Sequence, residues 1–562
     1  MPVTKRRRAR KACIPCHQRK RKCDTVYPCG MCSTHGYNCT YTDTSTDHRP
    51  LPPAKGTNLE RDNETPNRVQ IEPVPSPSRG PLHAVAGGPS PGIFDEQKFR
   101  YSGASAAMAF PHILGVALGS ESPPKMRSFA YNFGVRPEEV SNAHCFLGDL
   151  ISEEDLGFFS SMYFSALGPI GDVIDPTTYT QRCWDYYRSS GSNAVAFAAV
   201  AAGVAALGSF LSPRRHPRES DLVQYAKAIL DDPSSMRLHG IDHIVAWGMR
   251  VFYLRATTRP SNAWIASCTQ MHLCEAIGLH EEVTIKKMAS MAGAAVLGHS
   301  ADRLRRIFWV SWAGHNILSY EYDLSSVGYR TVTCQPIISV PGSVADQFVQ
   351  LAHIIPSPNA ALTYNTQPSS PTQELYYRLK ALNEFKVTQP FLVVTKADLA
   401  FCFYRRLYQL NTQIPDEIIK LVIDSGNAAV EAAKKQADQG HLFWNAIGSV
   451  FQYCCILLAI DTPVAFPHID GAFKGLEHLV KAADTGLTRE ALSMARHLLG
   501  LTMTKKRKEL AQLEAVEAGY EFGQTPPTCQ VNPAMPDMGW EIDWDQFFIE
   551  PYLSMLGPDL PL

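Results

Sequence analysis

Six cysteines lie close together near the N-terminus, and their spacing constrains how this region can fold more than any other feature. They follow the pattern C-x2-C-x6-C-x5-C-x2-C-x6-C and are Cys13, Cys16, Cys23, Cys29, Cys32 and Cys39. The chain of 562 residues has only 15 cysteines. A chance match to five set offsets therefore has a probability on the order of 10⁻⁸. The spacing reflects a chemical requirement.

Regularly spaced cysteines form either disulfide bonds in oxidising compartments or metal sites in reducing ones. The chain opens with charged residues, from Lys5 to Lys11, and no apolar stretch follows them, so we expect no secretory signal. The other nine cysteines are scattered, which is typical of a reducing compartment. The two C-x2-C pairs therefore favour metal thiolates over disulfides.

Zinc suits such cysteines because it accepts four thiolates in a tetrahedron. Six cysteines can form one four-thiolate site with two left over, or two such sites that share a pair. The second arrangement uses every ligand. A segment of about 30 residues buries too little apolar surface to fold alone. Zinc binding, at about 10–16 kcal/mol per structural site, would supply the missing stability.

Residues 12–41 resemble the fungal binuclear zinc-cluster (Zn2Cys6) transcription factors, because every cysteine of that pattern is present and Pro28 precedes the fourth. The resemblance implies two Zn²⁺ ions bridged by the first and fourth cysteines, Cys13 and Cys29. It divides the remaining ligands into Cys16 and Cys23 for one ion, and Cys32 and Cys39 for the other.

Basic residues are interleaved with these cysteines. Residues 1–41 contain ten Lys and Arg against one Asp, a net charge of +9. Six thiolates and two Zn²⁺ would leave about +7. The whole chain has a net charge of −1, so residues 42–562 carry −10. The nearly neutral total therefore conceals a strongly basic head, residues 1–41. Such a head is typical of proteins that bind nucleic acid through its phosphates.

The resemblance also implies which basic residues contact double-stranded DNA. In the family, a short helix that begins at the second cysteine presents its end to the major groove. By position, Arg19 and Lys20 would donate to guanine O6 and N7, and the implied target is a CGG-type half-site. The residues expected to meet mostly phosphates are Arg21, Lys22, Arg10 and Lys11.

The basic arm, residues 1–12, has a further interpretation. A run of Lys and Arg is typical of a nuclear localisation signal, although phosphate contact explains the same charges and one segment can do both. We therefore predict a nuclear protein. The predicted signal comprises Lys5, Arg6, Arg7 and Arg8.

Residues 42–140, which follow the predicted cluster domain at 13–41, are expected to be a mostly disordered linker. Ten prolines fall within residues 41–93, and such a composition cannot bury a core. Many family members have a coiled coil after the cluster, but no a/d pattern extends over three heptads here. We therefore expect either a monomer or a homodimer formed elsewhere.

Residues 141–515 are predicted to form a large all-α domain, because apolar residues recur at helical spacing and strand signals are few. Ser152 and the three acidic residues after it predict a helix start. The uncharged run 194–211 is long enough to span a membrane, but its Ala and Gly content favours a buried helix and no membrane partner. Further helices are predicted near 243–256, 263–279, 302–320, 375–387, 396–411, 416–437, 442–459 and 490–516.

This all-α region resembles the family's fungal-specific regulatory domain from about residue 150 to residue 510. The matching stretches, in family order, are residues 263–264, residues 276–280, residues 305–309 and the loop through Pro336 and Pro341. The region has no glycine-rich phosphate loop, nucleophile elbow or HExxH motif. We therefore predict a regulatory domain without enzymatic activity.

Some residues of this domain have two interpretations. Trp309, Trp312 and Tyr320 are predicted to pack in the interior, and the alternative is a pocket for a small-molecule inducer. Four Cys and His residues lie on an apolar helical stretch. We predict that they are core residues rather than ligands: Cys268, His272, Cys274 and His280.

The tail, residues 516–562, is acidic. No Lys or Arg follows Lys508, whereas ten acidic residues do. Repulsion between these acids would keep the nearby aromatics available to a coactivator, and the alternative is that they dock on the chain's own helical domain. The aromatics of this predicted activation tail are Trp540, Trp544, Phe547 and Phe548.

Together these features predict a sequence-specific activator of RNA polymerase II genes that regulates a metabolic pathway or a gene cluster. The basic head and acidic tail favour activation over repression. The alternatives are a repressor, or a structural DNA-binding subunit of the centromere-complex type, with the same zinc cluster.

Overall fold

The computed structural model describes residues 12–18, 23, 29–35, 39–40, 92–96, 100–103, 106, 109–123, 145–189, 194–232, 240–356, 370–441 and 443–521. The chain divides into two compact units, residues 1–86 and residues 87–562.

The described residues of the first unit form two short helices, α1 (Ile14–Gln18) and α2 (Gly30–His35). Its buried side chains are cysteines, and Ala12 and Met31 pack against them. A cluster this small has too little apolar surface to hold the unit together, so its stability must come from the metal.

The second unit contains an antiparallel pair of strands, β1 (Ile93–Asp95) and β2 (Arg100–Ser102), a 3-10 turn at Leu147–Asp149, and helices. The helices are α3 (Phe110–Ala117), α4 (Glu153–Ala166), α5 (Gly168–Gly171), α6 (Pro176–Arg188), α7 (Val195–Leu211), α8 (Glu219–Leu230), α9 (Ile241–Thr257), α10 (Pro260–Ile277), α11 (Glu282–Ala289), α12 (Ala301–Glu321), α13 (Ala345–His353), α14 (Pro371–Glu384), α15 (Pro390–Gln409), α16 (Asp416–Asp438), α17 (Trp444–Ile460), α18 (Phe466–Ala482) and α19 (Gly486–Glu521).

Helix α7 lies in the interior, with α4, α8 and α9 packed around it. Thirteen of its 17 residues are buried, and most of them are Ala or Gly, which lets neighbouring helices approach closely. The expectation of a buried helix at 194–211 is confirmed. Within the described part of the chain, no helix is both long and apolar enough to cross a bilayer.

The main hydrophobic core continues from α7 to the C-terminal helices, where α15, α16, α17 and α18 pack on one another. Phe401 of α15 and Tyr453 of α17 stack with ring centroids 5.9 Å apart, and the Tyr453 hydroxyl donates to Asn427 Oδ1 at 2.8 Å. The prediction of an all-α domain is confirmed, since this unit is helical apart from one short strand pair in its described residues.

The predicted helix start at Ser152 is also confirmed. The Ser152 side chain accepts a hydrogen bond from the Asp155 backbone N–H at 3.0 Å, which caps α4. Helix α6 was not predicted. It buries only Tyr179, Cys183 and Tyr186, and so narrow an apolar stripe in a polar segment gives a weak helical signal.

The strand pair β1–β2 lies inside the segment assigned to a linker. Phe94 is buried in the core of the second unit, and Tyr101 meets the His280 ring edge-on at 5.0 Å. Lys287 pairs with Glu96 at 2.9 Å. The second unit therefore begins before the expected boundary at residue 141, because a three-residue strand that docks on helices leaves no periodic pattern in the sequence.

Candidate metal centre and nucleic-acid interface

The two C-x2-C pairs have the same local structure. Cys13 directly precedes α1 and Cys29 directly precedes α2, while Cys16 and Cys32 lie in the first turns of these helices. The Cys13 carbonyl accepts from the His17 N–H at 2.9 Å, and the Cys29 carbonyl accepts from the Ser33 N–H at 2.8 Å. Residues three apart on a helical turn share a face, so each pair points two sulfurs in one direction.

These four cysteines meet in one group, with all their Sγ atoms within 4.8 Å of one another. The Sγ of Cys13 lies 3.7 Å from that of Cys29 and 3.5 Å from that of Cys32. The Sγ of Cys29 lies 3.6 Å from that of Cys16. A tetrahedral zinc with Zn–S bonds of about 2.3 Å separates its sulfurs by about 3.8 Å. The donor set therefore fits zinc.

The same distances exclude disulfides, whose sulfurs lie about 2.0 Å apart. No disulfide bond joins any of the described cysteines. The preference for metal thiolates over disulfides agrees with this geometry.

The remaining two cysteines belong to the same cluster. Cys39 is buried and its Sγ accepts a hydrogen bond from the Cys29 N–H at 3.3 Å. Cys23 is partly buried and packs against the cluster. The Cys32 N–H donates to the Cys29 Sγ at 3.4 Å. Such N–H donors stabilise thiolates and are common around metal-bound sulfur.

The thiols of the cluster differ in acidity. The hydrogen bond from the Cys32 backbone N–H lowers the pKa of Cys29, while burial raises the pKa of Cys16 and of Cys32. A metal must therefore displace protons from the latter two thiols as it binds, and zinc affinity is expected to weaken in acid.

Helix α1 begins at Ile14, two residues before the position implied by the resemblance. Cys13 takes the position before the first helical residue, so the whole C-x2-C pair fits into one turn. Helix α1 ends at Gln18, directly before the basic run. The predicted DNA-contacting, nuclear-signal and activation residues lie outside the described residues: Lys5, Arg6, Arg7, Arg8, Arg10, Lys11, Arg19, Lys20, Arg21, Lys22, Trp540, Trp544, Phe547 and Phe548.

The second unit contains a cavity of about 140 Å³ among α4, α5, α7, α9, α10, α12, α13 and α15. Its apolar lining includes Leu207, Met249, Phe348 and Phe391. Sequence reasoning did not find this site, because its lining comes from distant parts of the chain.

A small group of polar side chains also lines the cavity. His315 Nε2 accepts from the Val327 N–H at 2.8 Å, so its proton lies on Nδ1, 2.8 Å from the Ser267 Oγ. Burial lowers the pKa of His315 to about 4, and the ring is neutral at physiological pH. Gln270 Nε2 donates to the Ser311 Oγ at 2.8 Å and to the Ile244 carbonyl at 3.1 Å.

The three aromatics singled out in the sequence do not line this cavity. Trp309 and Trp312 pack edge-to-face with centroids 5.4 Å apart, and the Arg406 guanidinium lies 3.7 Å from the Tyr320 ring centroid. All three side chains pack against the hydrophobic core as predicted, but they are half-buried rather than fully interior. Trp312 and Tyr320 also border a separate open groove of about 770 Å³.

Four residues of α10 and the turn after it were predicted to be buried in the core, and the prediction is wrong for one of them. Cys274 and His280 are buried as expected, and Cys268 is partly buried. The side chain of His272 is 67% exposed, so the prediction is wrong for this residue. An apolar sequence window cannot show which of its residues face the solvent.

Comparison with known proteins relates both units to one family. The profile of the fungal Zn(2)-Cys(6) binuclear cluster domain matches residues 11–48. No solved structure matches the chain.

Three relatives extend the similarity beyond the cluster. Protein RDR1 of Saccharomyces cerevisiae is 38% identical over 519 residues, which cover 91% of this chain and 92% of that protein. Transcription factor kojR of Aspergillus oryzae is 28% identical over 557 residues, 97% of this chain and 94% of that protein. A probable transcriptional repressor of Schizosaccharomyces pombe is 23% identical over 443 residues, 77% and 92% of the two chains.

Three observations indicate the same family: the geometry of the cysteines, the match of the cluster domain and the relatives that are similar over almost their whole length. Two zinc ions are the cofactor of such a cluster, and DNA is its partner. The chain belongs to the fungal Zn(2)-Cys(6) binuclear cluster family of transcription factors.

Proposed function

We propose that this DNA-binding transcription regulator is a nuclear activator that reads CGG-type half-sites through its zinc cluster and controls a metabolic pathway or a gene cluster. The observation that carries the proposal is the group of four sulfurs at zinc-ligand distances, with α1 leading directly into Arg19 and Lys20. The metal would hold helix α1 in place, and the helix would fix where the basic segment begins. A basic segment in a fixed position can contact base edges in the groove, whereas a loose one would only be attracted to phosphates.

All six cysteines are proposed as zinc ligands, with Cys13 and Cys29 as the bridging pair. A bridging sulfur must lie beside ligands of both ions. The Sγ atoms of Cys13 and Cys29 are 3.7 Å apart. Cys29 is also near Cys16 and Cys39, which the assignment gives to different ions. This support is independent of sequence order.

Base recognition is tested by comparing two pairs of substitutions in the zinc-loaded protein. Arg19→Ala and Lys20→Ala should each weaken binding to a CGG duplex by about 5- to 150-fold, since a base-edge contact contributes roughly 1–3 kcal/mol. Binding to a scrambled duplex should change far less. Fluorescence anisotropy titrations of both duplexes at several salt concentrations measure the effect.

The matched control is the pair Arg21→Ala and Lys22→Ala. Loss of a phosphate contact should weaken both duplexes alike and lower the salt slope by about 1 per residue. Equal losses on CGG and scrambled DNA for Arg19→Ala and Lys20→Ala would refute the assignment of base contacts.

Activation is proposed to reside in the acidic and aromatic tail, where coactivators would bind. Residues 520–562, fused to a neutral DNA-binding domain, should switch on a reporter gene. Replacing Trp540, Trp544, Phe547 and Phe548 by Ala should remove most of this signal, because the apolar side chains would fill the coactivator groove. A silent wild-type tail would contradict the activator proposal.

Repression is the second candidate, because one relative is named as a probable repressor. A silent tail together with increased target transcription after deletion of the gene would support it. A structural DNA-binding subunit would show neither effect while still occupying CGG-type sites.

A further inference from the structure

We propose that the interior cavity of the second unit binds a small uncharged molecule, about the size of one aromatic ring, that carries one hydrogen-bond donor. The cavity is the space among α9, α10, α12 and their neighbours described above. A regulatory effect of this molecule on transcription rests on the proposed function, whereas its binding does not.

The size of the cavity sets the size of the ligand. Its volume of about 140 Å³ is close to that of an engineered apolar cavity of about 150 Å³ that binds benzene. Native interiors are packed at the density of organic crystals and contain few voids larger than a water molecule. An apolar space of this size, open on one side and lined largely by core residues, therefore offers room for a molecule of the size of one aromatic ring.

Two glycines show that the empty space reaches the backbone. Gly171 and Gly314 both line the cavity, and a Cβ atom at either position would meet no other atom within 4 Å. An alanine at Gly314 would fit and would favour the helix. Close packing therefore does not require a glycine at these two positions. It does require one at Gly208 of α7, where a Cβ would overlap the Phe159 backbone.

The lining excludes a charged ligand. It contains no Asp, Glu, Lys or Arg, and the ring of His315 is neutral. Because a buried charge without a partner is strongly unfavourable, an anion or a cation would not enter. Apolar side chains such as Met249 and Phe391 cover most of the surface and favour an aromatic or aliphatic ring.

The polar part of the lining contains an amide oxygen that takes no hydrogen bond from the described residues. Gln270 is buried, and its amide nitrogen donates to the Ile244 carbonyl and the Ser311 hydroxyl. Since a carbonyl can only accept, the Gln270 nitrogen must face Ile244, which leaves the amide oxygen without a hydrogen bond from the described residues. A hydroxyl or N–H of the ligand would satisfy it.

The test uses the full-length, zinc-loaded protein with phenol, benzene and benzoate as probes. Phenol at about 100 times its Kd should raise the Tm of the helical unit by roughly 3 °C, and calorimetry should give one site. Benzene should bind at least fivefold more weakly than phenol, and benzoate should not bind. Absence of a saturable Tm shift with both phenol and benzene would overturn the proposal.

Substitutions place the site. Gly314→Leu fills the cavity and should weaken phenol binding at least tenfold, with Gly314→Ala as the milder change if leucine prevents folding. Gly157→Leu is the matched control, since Gly157 is an exposed helical glycine of α4 with open space around it. Unchanged phenol binding in both Gly314 variants would refute this location.

Gln270→Met tests the hydrogen bond. Methionine has no amide oxygen to accept from phenol, so the ratio of benzene affinity to phenol affinity should rise to about 1 in this variant. A general loss of protein stability would weaken both affinities alike and leave this ratio unchanged. A preference for phenol that persists would contradict the role of Gln270. Binding of CGG duplex by the same preparation tests the proposed function separately, so that failure of one proposal is distinguishable from failure of the other.

Discussion

Substitution of Cys29 by serine is expected to release both zinc ions and to weaken binding to a CGG-type duplex by at least 100-fold. Cys29 lies at the centre of the cluster: its Sγ is 3.7 Å from that of Cys13 and 3.6 Å from that of Cys16, and its N–H donates to Cys39. Each structural zinc contributes about 10–16 kcal/mol to folding, whereas the cysteine cluster alone buries little apolar surface. The unit should therefore unfold.

Zinc content by mass spectrometry under native conditions and anisotropy titration with CGG DNA measure this effect. Cys39→Ser should keep one ion, because all four proposed ligands of the ion that Cys39 does not bind remain. Cys145→Ser is the control, since Cys145 is an exposed thiol of the second unit and should leave zinc and DNA binding unchanged. Two zinc ions in the Cys29→Ser protein would disprove its bridging role.

Substitution of Gly208 by alanine is expected to destabilise the helical unit by about 3 kcal/mol or more. Gly208 is fully buried where α7 crosses α4, and a Cβ atom there would overlap the carbonyl group of Phe159. Backbone cannot move aside as a side chain can, so the two helices would have to separate. This cost exceeds the gain of about 1 kcal/mol in helix propensity from glycine to alanine.

Gly157→Ala is the matched control for this prediction. Gly157 lies on the exposed face of α4, and a Cβ atom there would meet nothing within 4 Å. This substitution should raise stability slightly. Urea unfolding followed by circular dichroism measures both midpoints, and a Gly208→Ala protein as stable as the Gly157→Ala protein would show that α4 and α7 are not in close contact at this point.

Prediction from the sequence succeeded where a single segment carries the signal. Ser152 and the acidic residues after it mark the start of α4, and the uncharged run at 194–211 forms the buried helix α7. It failed where the burial of a residue depends on neighbours from other parts of the chain. His272 lies in an apolar window but is exposed, and Phe94 lies in the segment assigned to a linker but is buried.

The amino-acid sequence alone determined the metal chemistry, because six ligands at set spacing within one short segment encode a zinc cluster almost without help from the rest of the chain. It likewise determined the charge of the head and the tail. Only the tertiary structure decided the cavity and the close approach at Gly208, since these depend on which distant residues meet. Tyr163 and Phe391 line the same cavity from helices far apart in the chain, and no local sequence pattern shows that two such helices come together.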